Sequence, residues 1–387
     1  MSSPRPPRIL LAGGGTGGHV YPAIAIADAV RELSPDAAIA FAGTEQRMEW
    51  EAVPKAGYEI HPITVSGFQR GLSGSALMRN LSFPFKLAQG MVDAASLVKG
   101  FDPDVAVGTG GYVSGPVLLA ASLAGRPIVL QEQNAYAGAT NKLLAKRAEV
   151  VFAAFEPAKA YFPDGMVELS GNPVRSDLGP ASDDLRKEAL QHYAIPHEIG
   201  GQPPKVVLVM GGSLGAGPIN DAVEKDLQTL LADERTYLVW QAGKRYYDAI
   251  RARLPQEGGV MDRVRLMAYL DRMDLAYAVA DLAICRAGAL TCSELAVTGT
   301  PALLVPSPNV TADHQTKNAQ ALAQAGAARL LPEGRLATEL AQTAPSLLQT
   351  PVALDQMARS ALEIARPDAA RTIAQRVLAL AARHRSS

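Results

Sequence analysis

Two glycine-rich turns in this chain of 387 residues could each hold an anion. The first, Gly13–His19, follows the apolar segment Arg8–Ala12 and precedes a predicted helix over Tyr21–Leu33. The second, Gly211–Ala216, follows Lys205–Met210 and precedes another helical pattern. Backbone N–H groups and the helix dipole favour anions at such turns. One turn indicates a nucleotide, whereas two turns about 200 residues apart indicate two similar domains facing a cleft.

A third glycine-rich turn, Gly108–Gly115, follows another predicted strand, and Pro116 is placed to open the next helix. Two such turns in one domain could together hold a diphosphate, although glycines also simply permit tight turns. A dinucleotide-binding fold would carry an acidic residue at the end of the second strand, where it binds the ribose hydroxyls. That strand ends at Phe41–Thr44 without one, and Glu45 lies beyond the apolar run. The sequence therefore argues against a nicotinamide or flavin here, and no cofactor is predicted.

Polar residues follow these turns at positions suited to catalysis or binding. A lone histidine is more often structural, but His19 comes directly after the first turn, where a neutral imidazole could take a proton from a hydroxyl. In the second half, Thr291 is predicted to cap the helix that follows the strand ending at Cys285. Glu294 is then expected in the first turn of that helix, as a dipole partner or as a ligand of ribose hydroxyls. The polar segment Asp313–Asn318 is predicted to be a loop that could hold a sugar.

The composition is that of a globular protein with well-filled cores. Hydrophobic residues make up 48% of the chain and charged residues 19%, and the net charge of −1 does not indicate nucleic-acid binding. The only two cysteines, Cys285 and Cys292, are predicted to be small core residues in a reducing compartment. No stretch approaches the ~20 apolar residues of a membrane span, so we expect a soluble protein that can still touch a membrane. Asp102-Pro103-Asp104 is predicted to be a helix-to-strand turn, and no metal site is predicted.

Short apolar runs alternate with helical stretches along the chain, which predicts an α/β fold with two doubly wound parallel sheets. The predicted strands of the first half are residues 9–12, 38–42, 60–63, 105–108, 128–131, 150–153 and 167–169. Those of the second half are residues 206–210, 236–241, 264–268, 282–285, 302–305 and 328–331. A domain boundary is predicted near Gly171–Arg175, where Asn-Pro marks a turn, and a last helix is predicted over Ala369–Arg383.

Motifs between residues 13 and 318 together resemble those of the MurG family, the peripheral glycosyltransferases of bacterial peptidoglycan synthesis. In family order they are Gly13–His19 with Tyr21-Pro22, Gly108–Pro116, Gln131–Asn134, Gly171–Arg175, Gly211–Ala216, Arg286–Glu294 and Asp313–Asn318. The resemblance implies the glycosyltransferase-B fold, in which two Rossmann-like domains face a cleft. It implies an acceptor and membrane domain at residues 1–174, with a terminal helix at 366–387 packing back on it, and a UDP-sugar domain at 175–365.

The resemblance also implies the reaction. N-acetylglucosamine would pass from UDP-N-acetylglucosamine to the 4-hydroxyl of undecaprenyl-diphospho-N-acetylmuramoyl-pentapeptide (lipid I), forming lipid II with inversion at the anomeric carbon. His19 is predicted to be the base, with Glu132 the second choice. Helix N-termini and Arg175 would stabilise the leaving UDP. A peripheral protein on the cytoplasmic face of the membrane is expected, with cell-wall or division proteins as candidate partners.

Matched motif by motif, the chain carries a predicted set of residues for each substrate. The donor set is Thr16, Gly17, Gly18, Asn134, Arg175, Ser213, Leu270, Ala289, Leu290, Thr291, Cys292, Ser293, Glu294 and Gln315. The acceptor set is Gly14, Gly15, His19, Thr109, Gly110, Gly111 and Tyr112. By the resemblance, Glu294 would hold the ribose and the backbone at Leu270 would read the uracil. Arg175 and Ser213 would meet the diphosphate, and Asn134 and Gln315 the sugar.

The chain departs from the family pattern at two positions. Gln131 stands where some members carry histidine, so no catalytic role is expected for it. Leu270 replaces the commoner isoleucine, which matters little because the expected contact is through the backbone. Three alternatives stay open: another glycosyltransferase-B enzyme using a UDP-sugar and a lipid or small hydrophobic acceptor, a UDP-sugar epimerase, and a non-catalytic nucleotide-binding protein.

The segment Ser66–Val92 bears on membrane contact because it mixes apolar side chains with cations. Its apolar residues are Phe68, Leu72, Leu77, Leu81, Phe83, Phe85 and Leu87, and its cations are Arg70, Arg79 and Lys86. This mixture suits a surface that lies against anionic lipid. An ordinary core helix with a solvated face explains the pattern about equally well, and the resemblance favours membrane contact.

Overall fold

The computed structural model describes residues 5–65, 83–212, 214–255, 258–310 and 313–386. The chain divides into two compact units. The first comprises the residues up to Arg175 together with those from Pro367 onward, and the second comprises Ser176–Arg366. Each unit has its own parallel sheet and hydrophobic core.

The strands described in the first unit form one parallel sheet. They are β1 (Arg8–Gly13), β2 (Ala38–Gly43), β3 (Glu59–Pro62), β4 (Val105–Gly110), β5 (Ile128–Glu132), β6 (Val150–Ala153) and β7 (Val167–Leu169). Their order across the sheet is β3-β2-β1-β4-β5-β6-β7. The direction of winding reverses between β1 and β4, and such a switch point is where doubly wound sheets bind ligands.

The second unit repeats this plan. Its described strands are β8 (Lys205–Met210), β9 (Thr236–Gln241), β10 (Val264–Met267), β11 (Leu282–Cys285), β12 (Ala302–Leu304) and β13 (Ala328–Leu330). They are parallel and lie in the order β10-β9-β8-β11-β12-β13, so the winding reverses between β8 and β11. The predicted fold class, α/β with two doubly wound parallel sheets, is confirmed.

Helices connect the strands and cover the sheets. In chain order they are α1 (Gly17–Leu33), α2 (Glu49–Lys55), α3 (Phe83–Phe101), α4 (Ser114–Leu123), α5 (Ala139–Leu144), α6 (Asp183–His192), α7 (Gly217–Lys225), α8 (Leu227–Leu230), α9 (Lys244–Arg253), α10 (Met273–Val279), α11 (Ala289–Thr298), α12 (His314–Gln324), α13 (Glu333–Leu348), α14 (Pro351–Ile364) and α15 (Ala369–Ser386). Helices α1 to α5 and α15 belong to the first unit. Within the described ranges, none of the helices is long and apolar enough to cross a membrane.

The central strands are mainly apolar because helices cover both faces of each sheet, whereas the edge strand β3 carries Glu59 and His61. Alternate residues of β1 point to opposite faces. Ile9 and Leu11 are buried in a cluster with residues of α1 and α15, such as Val377. Leu10 is buried in a second cluster with Val117 of α4. The C-terminal helix α15 is therefore part of the core of the first unit.

Two helices of the first unit begin earlier than the sequence predicted. Helix α1 begins at Gly17, so Gly17 and His19 lie in its first turn. Helix α4 begins at Ser114, so Pro116 is its third residue and does not open it. Glycine and small residues adopt helical and turn conformations at similar cost, so a boundary inside such a run has no side-chain signal.

The predicted cap of α11 is wrong. The helix begins at Ala289, and Gly288, whose backbone is extended, occupies the N-cap position expected for Thr291. Glu294 consequently lies in the second turn, not the first. The segment predicted as a polar loop is also mostly helical, because α12 already begins at His314.

The Asp102-Pro103-Asp104 segment is the predicted helix-to-strand turn, between α3 and β4. Arg5 donates to Asp102 Oδ2 at 2.8 Å and to Asp104 Oδ1 at 2.7 Å. The hydrogen bond from Arg5 lowers the pKa of Asp102. The Arg8 N–H donates to the buried Asp104 carboxylate at 2.8 Å, which ties the start of β1 to the start of β4.

Candidate active site

The glycine turns of the first unit lie at one edge of its sheet. Because β1 and β4 are neighbours, the turns that follow them meet, and the Gly14 nitrogen lies 3.4 Å from the Gly110 carbonyl oxygen. A Cβ atom on Gly110 would lie 2.8 Å from Nδ1 of His19, so a side chain there would displace the imidazole. The two turns therefore form one compact surface with His19 packed against it.

The His19 imidazole is held through its Nδ1 atom. Nδ1 lies 2.9 Å from the Thr109 carbonyl oxygen and 3.0 Å from Oε1 of Gln133. The Thr109 hydroxyl donates in turn to the His19 carbonyl oxygen at 2.7 Å. A carbonyl oxygen can only accept, so in the neutral ring the proton is on Nδ1 and the lone pair is on Nε2. This tautomer is the one that can accept a proton at Nε2.

A buried amide network supports this arrangement. Gln133 Nε2 donates to the Thr109 carbonyl oxygen at 2.6 Å. Asn172 Nδ2 donates to the Gln133 carbonyl oxygen at 3.0 Å, and Gln131 Nε2 donates to Asn172 Oδ1 at 2.9 Å. All three amide side chains are buried. Gln131 thus holds the amides of Asn172 and Gln133 in place.

Glu132 is a buried carboxylate with its oxygens already engaged. It accepts from the Asn134 N–H at 3.0 Å, from the Gly138 N–H at 2.8 Å and from Asn141 Nδ2 at 2.9 Å. Its side chain is only 2% exposed. A base must reach the proton it removes, so this geometry favours Glu132 as an anchor of the turn after β5 and disfavours it as a base.

Glu49 is a functional candidate that the sequence analysis did not identify. Its buried carboxylate accepts from the Gly15 N–H at 2.9 Å and from the Thr44 N–H at 3.1 Å. It therefore lies directly against the first glycine turn. Glu49 belongs to no recognised motif, and its partner Gly15 is 34 residues away, so local patterning offers no signal for it.

The other residues predicted in the first unit differ in exposure. Gly15, Thr16, Tyr112 and Arg175 are exposed, and Gly17, Gly18, Asn134 and Gly111 are half-buried. The Thr109 side chain is fully buried and bonded to His19, so it faces the protein interior.

In the second unit, Glu294 has a specific partner. The Tyr277 hydroxyl donates to its Oε2 atom at 2.8 Å. Tyr277 is buried, and burial together with the Glu294 charge raises the pKa of its hydroxyl well above the usual range. The phenol therefore stays protonated and orients the carboxylate.

The two cysteines pack beside this pair. Cys285 and Cys292 are buried free thiols, as predicted. Burial raises the pKa of Cys285 to about 12, so the thiol is neutral and unreactive at physiological pH.

The remaining predicted donor residues follow several strands of the second unit: Leu270 follows β10, residues 289–293 follow β11 and Gln315 follows β12. Ser213 lies outside the described residues. Leu270, Ala289 and Cys292 are buried, and Leu290, Thr291, Ser293 and Gln315 are half-buried. Gln315 Oε1 accepts from the Ser307 N–H at 2.9 Å, which holds the turn after β12. Arg286 donates to the Val305 carbonyl oxygen at 3.1 Å and forms an ion pair with Glu333, a partner that the sequence did not indicate.

Comparison with known proteins decides the family. Residues 9–153 match the glycosyltransferase family 28 N-terminal domain, and residues 206–374 match the glycosyltransferase family 28 C-terminal domain. A Salinibacter ruber relative, 54% identical over 385 residues and 100% of both chains, is named UDP-N-acetylglucosamine–N-acetylmuramyl-(pentapeptide) pyrophosphoryl-undecaprenol N-acetylglucosamine transferase. The crystal structure of Acinetobacter baumannii MurG is 29% identical, with a TM-score of 0.74 over 97% of this chain and 100% of that one. The chain belongs to the MurG family.

Membership of the MurG family makes the chain a glycosyltransferase, as predicted. Its fold is shared more widely. A Neisseria meningitidis UDP-GlcNAc 2-epimerase, solved bound to UDP-GlcNAc, has a TM-score of 0.63 over 96% of this chain and 100% of that one. At 13% identity this likeness shows the fold alone. The MurG-family assignment therefore rests on the full-length relatives.

Proposed function

We propose that this MurG-family chain transfers N-acetylglucosamine from UDP-N-acetylglucosamine to the 4-hydroxyl of lipid I, which forms lipid II for peptidoglycan synthesis. The Salinibacter ruber relative, 54% identical along its whole length, is named for transfer to N-acetylmuramyl-(pentapeptide) pyrophosphoryl-undecaprenol. A Flavobacterium psychrophilum relative with the same name is 40% identical over 96% of this chain and 97% of its own. These names support both substrates.

The observation that carries the mechanism is the contact between His19 Nδ1 and the Thr109 carbonyl oxygen. It leaves the lone pair on Nε2, which takes the proton of the acceptor hydroxyl as that oxygen attacks the anomeric carbon. The bond from the anomeric carbon to the β-phosphate oxygen breaks, and UDP leaves with the electron pair. One displacement on an α-linked donor gives a β-linked product.

The UDP moiety is proposed to bind the second unit. Glu294, oriented by Tyr277, accepts from the ribose hydroxyls, and the backbone at Leu270 reads the uracil. Ser213 donates a hydrogen bond to the diphosphate, and Arg175 balances its negative charge, which grows as UDP leaves. The other proposed donor contacts are Thr16, Gly17, Gly18, Asn134, Ala289, Leu290, Thr291, Cys292, Ser293 and Gln315. Cys292 is fully buried and its N–H donates to the Gly288 carbonyl oxygen at 2.9 Å, so the structure lends no support to a direct contact between Cys292 and the donor.

The acceptor is proposed to lie against the glycine turns of the first unit. Gly110 ends β4 against the His19 ring, and Gly111 and the exposed Tyr112 follow it. Gly14 and Gly15 complete this surface, but the Gly15 N–H already donates to Glu49. Contacts to the acceptor diphosphate must therefore come mainly from other groups.

A lipid-linked acceptor requires the enzyme to work at a membrane surface, which we propose is the cytoplasmic one. Residues 66–82 of the predicted membrane segment lie outside the described residues. In the described part, Phe85 is 80% exposed at the start of α3, with Leu87 and Lys86 also exposed beside it. An exposed aromatic next to a cation suits contact with anionic lipid.

The direct test of the base is His19→Ala, measured at saturating concentrations of both substrates. Loss of a general base should lower kcat by about 10²- to 10⁴-fold. His197→Ala, which removes an exposed histidine of the second unit, is the matched control and should keep its activity. Near-normal turnover by His19→Ala would show that another group takes the proton.

A further inference from the structure

The Glu49 carboxylate joins two neighbouring turns of the first unit. Glu49 is the first residue of α2 and is only 1% exposed. Its Oε2 atom accepts from the Gly15 N–H, in the turn after β1, and its Oε1 atom accepts from the Thr44 N–H, in the turn after β2. The two N–H donors stabilise the negative charge of the buried carboxylate, as the N–H groups of a glycine turn stabilise the charge of a bound phosphate.

The glycines around Glu49 leave the space that its side chain fills. A Cβ atom on Gly14 would lie 2.4 Å from Oε1 of Glu49, and a Cβ atom on Gly43 would lie 2.8 Å from its Cγ. Real Cβ atoms essentially never approach another atom so closely. In the sequence, these glycines indicate a phosphate-binding turn. Part of that pattern is explained instead by the space that the Glu49 carboxylate needs.

A chain of packing contacts connects Glu49, through the turns after β1 and β4, to the His19 imidazole. A Cβ atom on Gly111 would lie 2.3 Å from the Gly14 carbonyl oxygen, so the turn after β4 packs directly on the turn that Glu49 holds. Gly110, the residue before Gly111 and the last of β4, lies against the His19 ring. Movement of Gly14 and Gly15 would therefore move the surface that sets the position of His19.

We propose that Glu49 is a built-in anion of the first glycine turn. Its carboxylate takes the place at the Gly15 amide that a substrate phosphate would otherwise take, and it acts as a positioning residue for His19. A phosphate oxygen at the Gly15 N–H would lie against a carboxylate of the same charge, so the acceptor diphosphate binds through other groups. The kinetic part of this inference rests on the proposed role of His19.

The kinetic test compares Glu49→Ala and Glu49→Gln with Glu51→Ala, which removes an exposed carboxylate from the same helix. Displacement of the turn should lower kcat of Glu49→Ala by about tenfold to a hundredfold. Formate, which can fill the cavity and accept from both N–H groups, should restore that activity in a saturable manner. Glu49→Gln fills the cavity with one donor in place of an acceptor, so it should be impaired without rescue. Glu51→Ala should match the parent chain, with or without formate.

A binding test separates this inference from the assignment of the base. Inorganic pyrophosphate, titrated by calorimetry, should bind Glu49→Ala about tenfold more tightly than the parent chain, because two N–H groups become available to an anion. This readout needs no turnover, so it stands even if His19→Ala remains active. Wild-type kcat in both Glu49 variants, or a folded Glu49→Ala with neither formate rescue nor tighter pyrophosphate binding, would overturn the inference. If Glu49→Ala does not fold, unimpaired kcat in Glu49→Gln overturns it alone.

Discussion

The Thr109 carbonyl oxygen accepts hydrogen bonds from both His19 Nδ1 and Gln133 Nε2, at 2.9 Å and 2.6 Å. Many catalytic histidines are oriented by a carboxylate, whereas here a backbone oxygen and a buried amide do this work. The amide is itself fixed by Gln131 and Asn172. The state of the imidazole therefore depends on neutral groups that hold one tautomer.

Tyr277→Phe tests the corresponding arrangement in the second unit. The change removes the hydroxyl that donates to Glu294 and keeps the ring. A hydrogen bond to a charged group contributes about 1.5–3 kcal/mol, so UDP affinity should fall about tenfold or more. The affinity for 2′-deoxy-UDP, which lacks one of the hydroxyls that Glu294 would hold, should fall less. Calorimetric titration of both nucleotides gives the ratio of UDP affinity to 2′-deoxy-UDP affinity.

Tyr193→Phe is the matched control for this prediction. Tyr193 is also buried in the second unit, and its hydroxyl has no hydrogen-bond partner in the described structure. Its removal should leave both nucleotide affinities unchanged. An unaltered ratio of UDP to 2′-deoxy-UDP affinity in Tyr277→Phe would mean that Tyr277 does not orient Glu294 for ribose.

At the residue scale, the sequence indicated the groups adjacent to a glycine turn or inside a family motif, such as His19 and Glu294. It did not indicate their partners. Gln133 meets His19 across 114 residues, Gly15 meets Glu49 across 34, and Tyr277 meets Glu294 across 17. Such pairs are created by the order of strands in the sheet, which a local pattern does not encode.

At the scale of elements, most strands were predictable, as was the start of α15 at Ala369, but the helix starts inside glycine-rich runs were not. An interior strand covered on both faces has an apolar centre, as residues 237–240 form in β9, and β9 was predicted to the residue, between Arg235 and the Ala242-Gly243 segment. Helix α11 begins at Ala289 because Gly288 takes an extended conformation, a choice that its sequence leaves open. Small residues permit both helix and turn there.

The exposed start of α3 gives a prediction at this scale. Changing Phe85 and Leu87 together to serine should lower binding to vesicles containing anionic lipid by at least about tenfold. The reason is that burial of each apolar side chain in the lipid would contribute about 1.5–3 kcal/mol to the binding free energy. Sedimentation with vesicles measures the bound fraction. UDP affinity should be unchanged.

Val352→Ser serves as the control for vesicle binding. Val352 is 75% exposed on α14, in the second unit. Its replacement tests whether the loss of any exposed apolar side chain lowers vesicle binding. It should leave vesicle binding unaltered. Equal binding by the Phe85 and Leu87 double variant and the parent chain would exclude this part of α3 as a membrane contact.

At the scale of the whole molecule, two units share one architecture but differ at the site each carries. The first has His19 between glycine turns and a carboxylate, Glu49, built into the first turn. The second has Glu294, in the second turn of α11, oriented by Tyr277. The sequence predicted that the two glycine turns differ, from the missing acidic residue after β2 and the presence of Glu294, but it did not indicate Glu49 or Tyr277. The reaction itself does not follow from the fold, since a UDP-GlcNAc 2-epimerase has a similar one.

The most direct test of the proposed reaction is UDP release, measured with and without a muramoyl-pentapeptide-diphospho-lipid acceptor. We expect release only when the acceptor is present, addition of one N-acetylhexosamine to it, and a preference for UDP-N-acetylglucosamine over UDP-N-acetylgalactosamine. Conversion of UDP-N-acetylglucosamine without any acceptor, or equal transfer to diacylglycerol, would contradict the proposal.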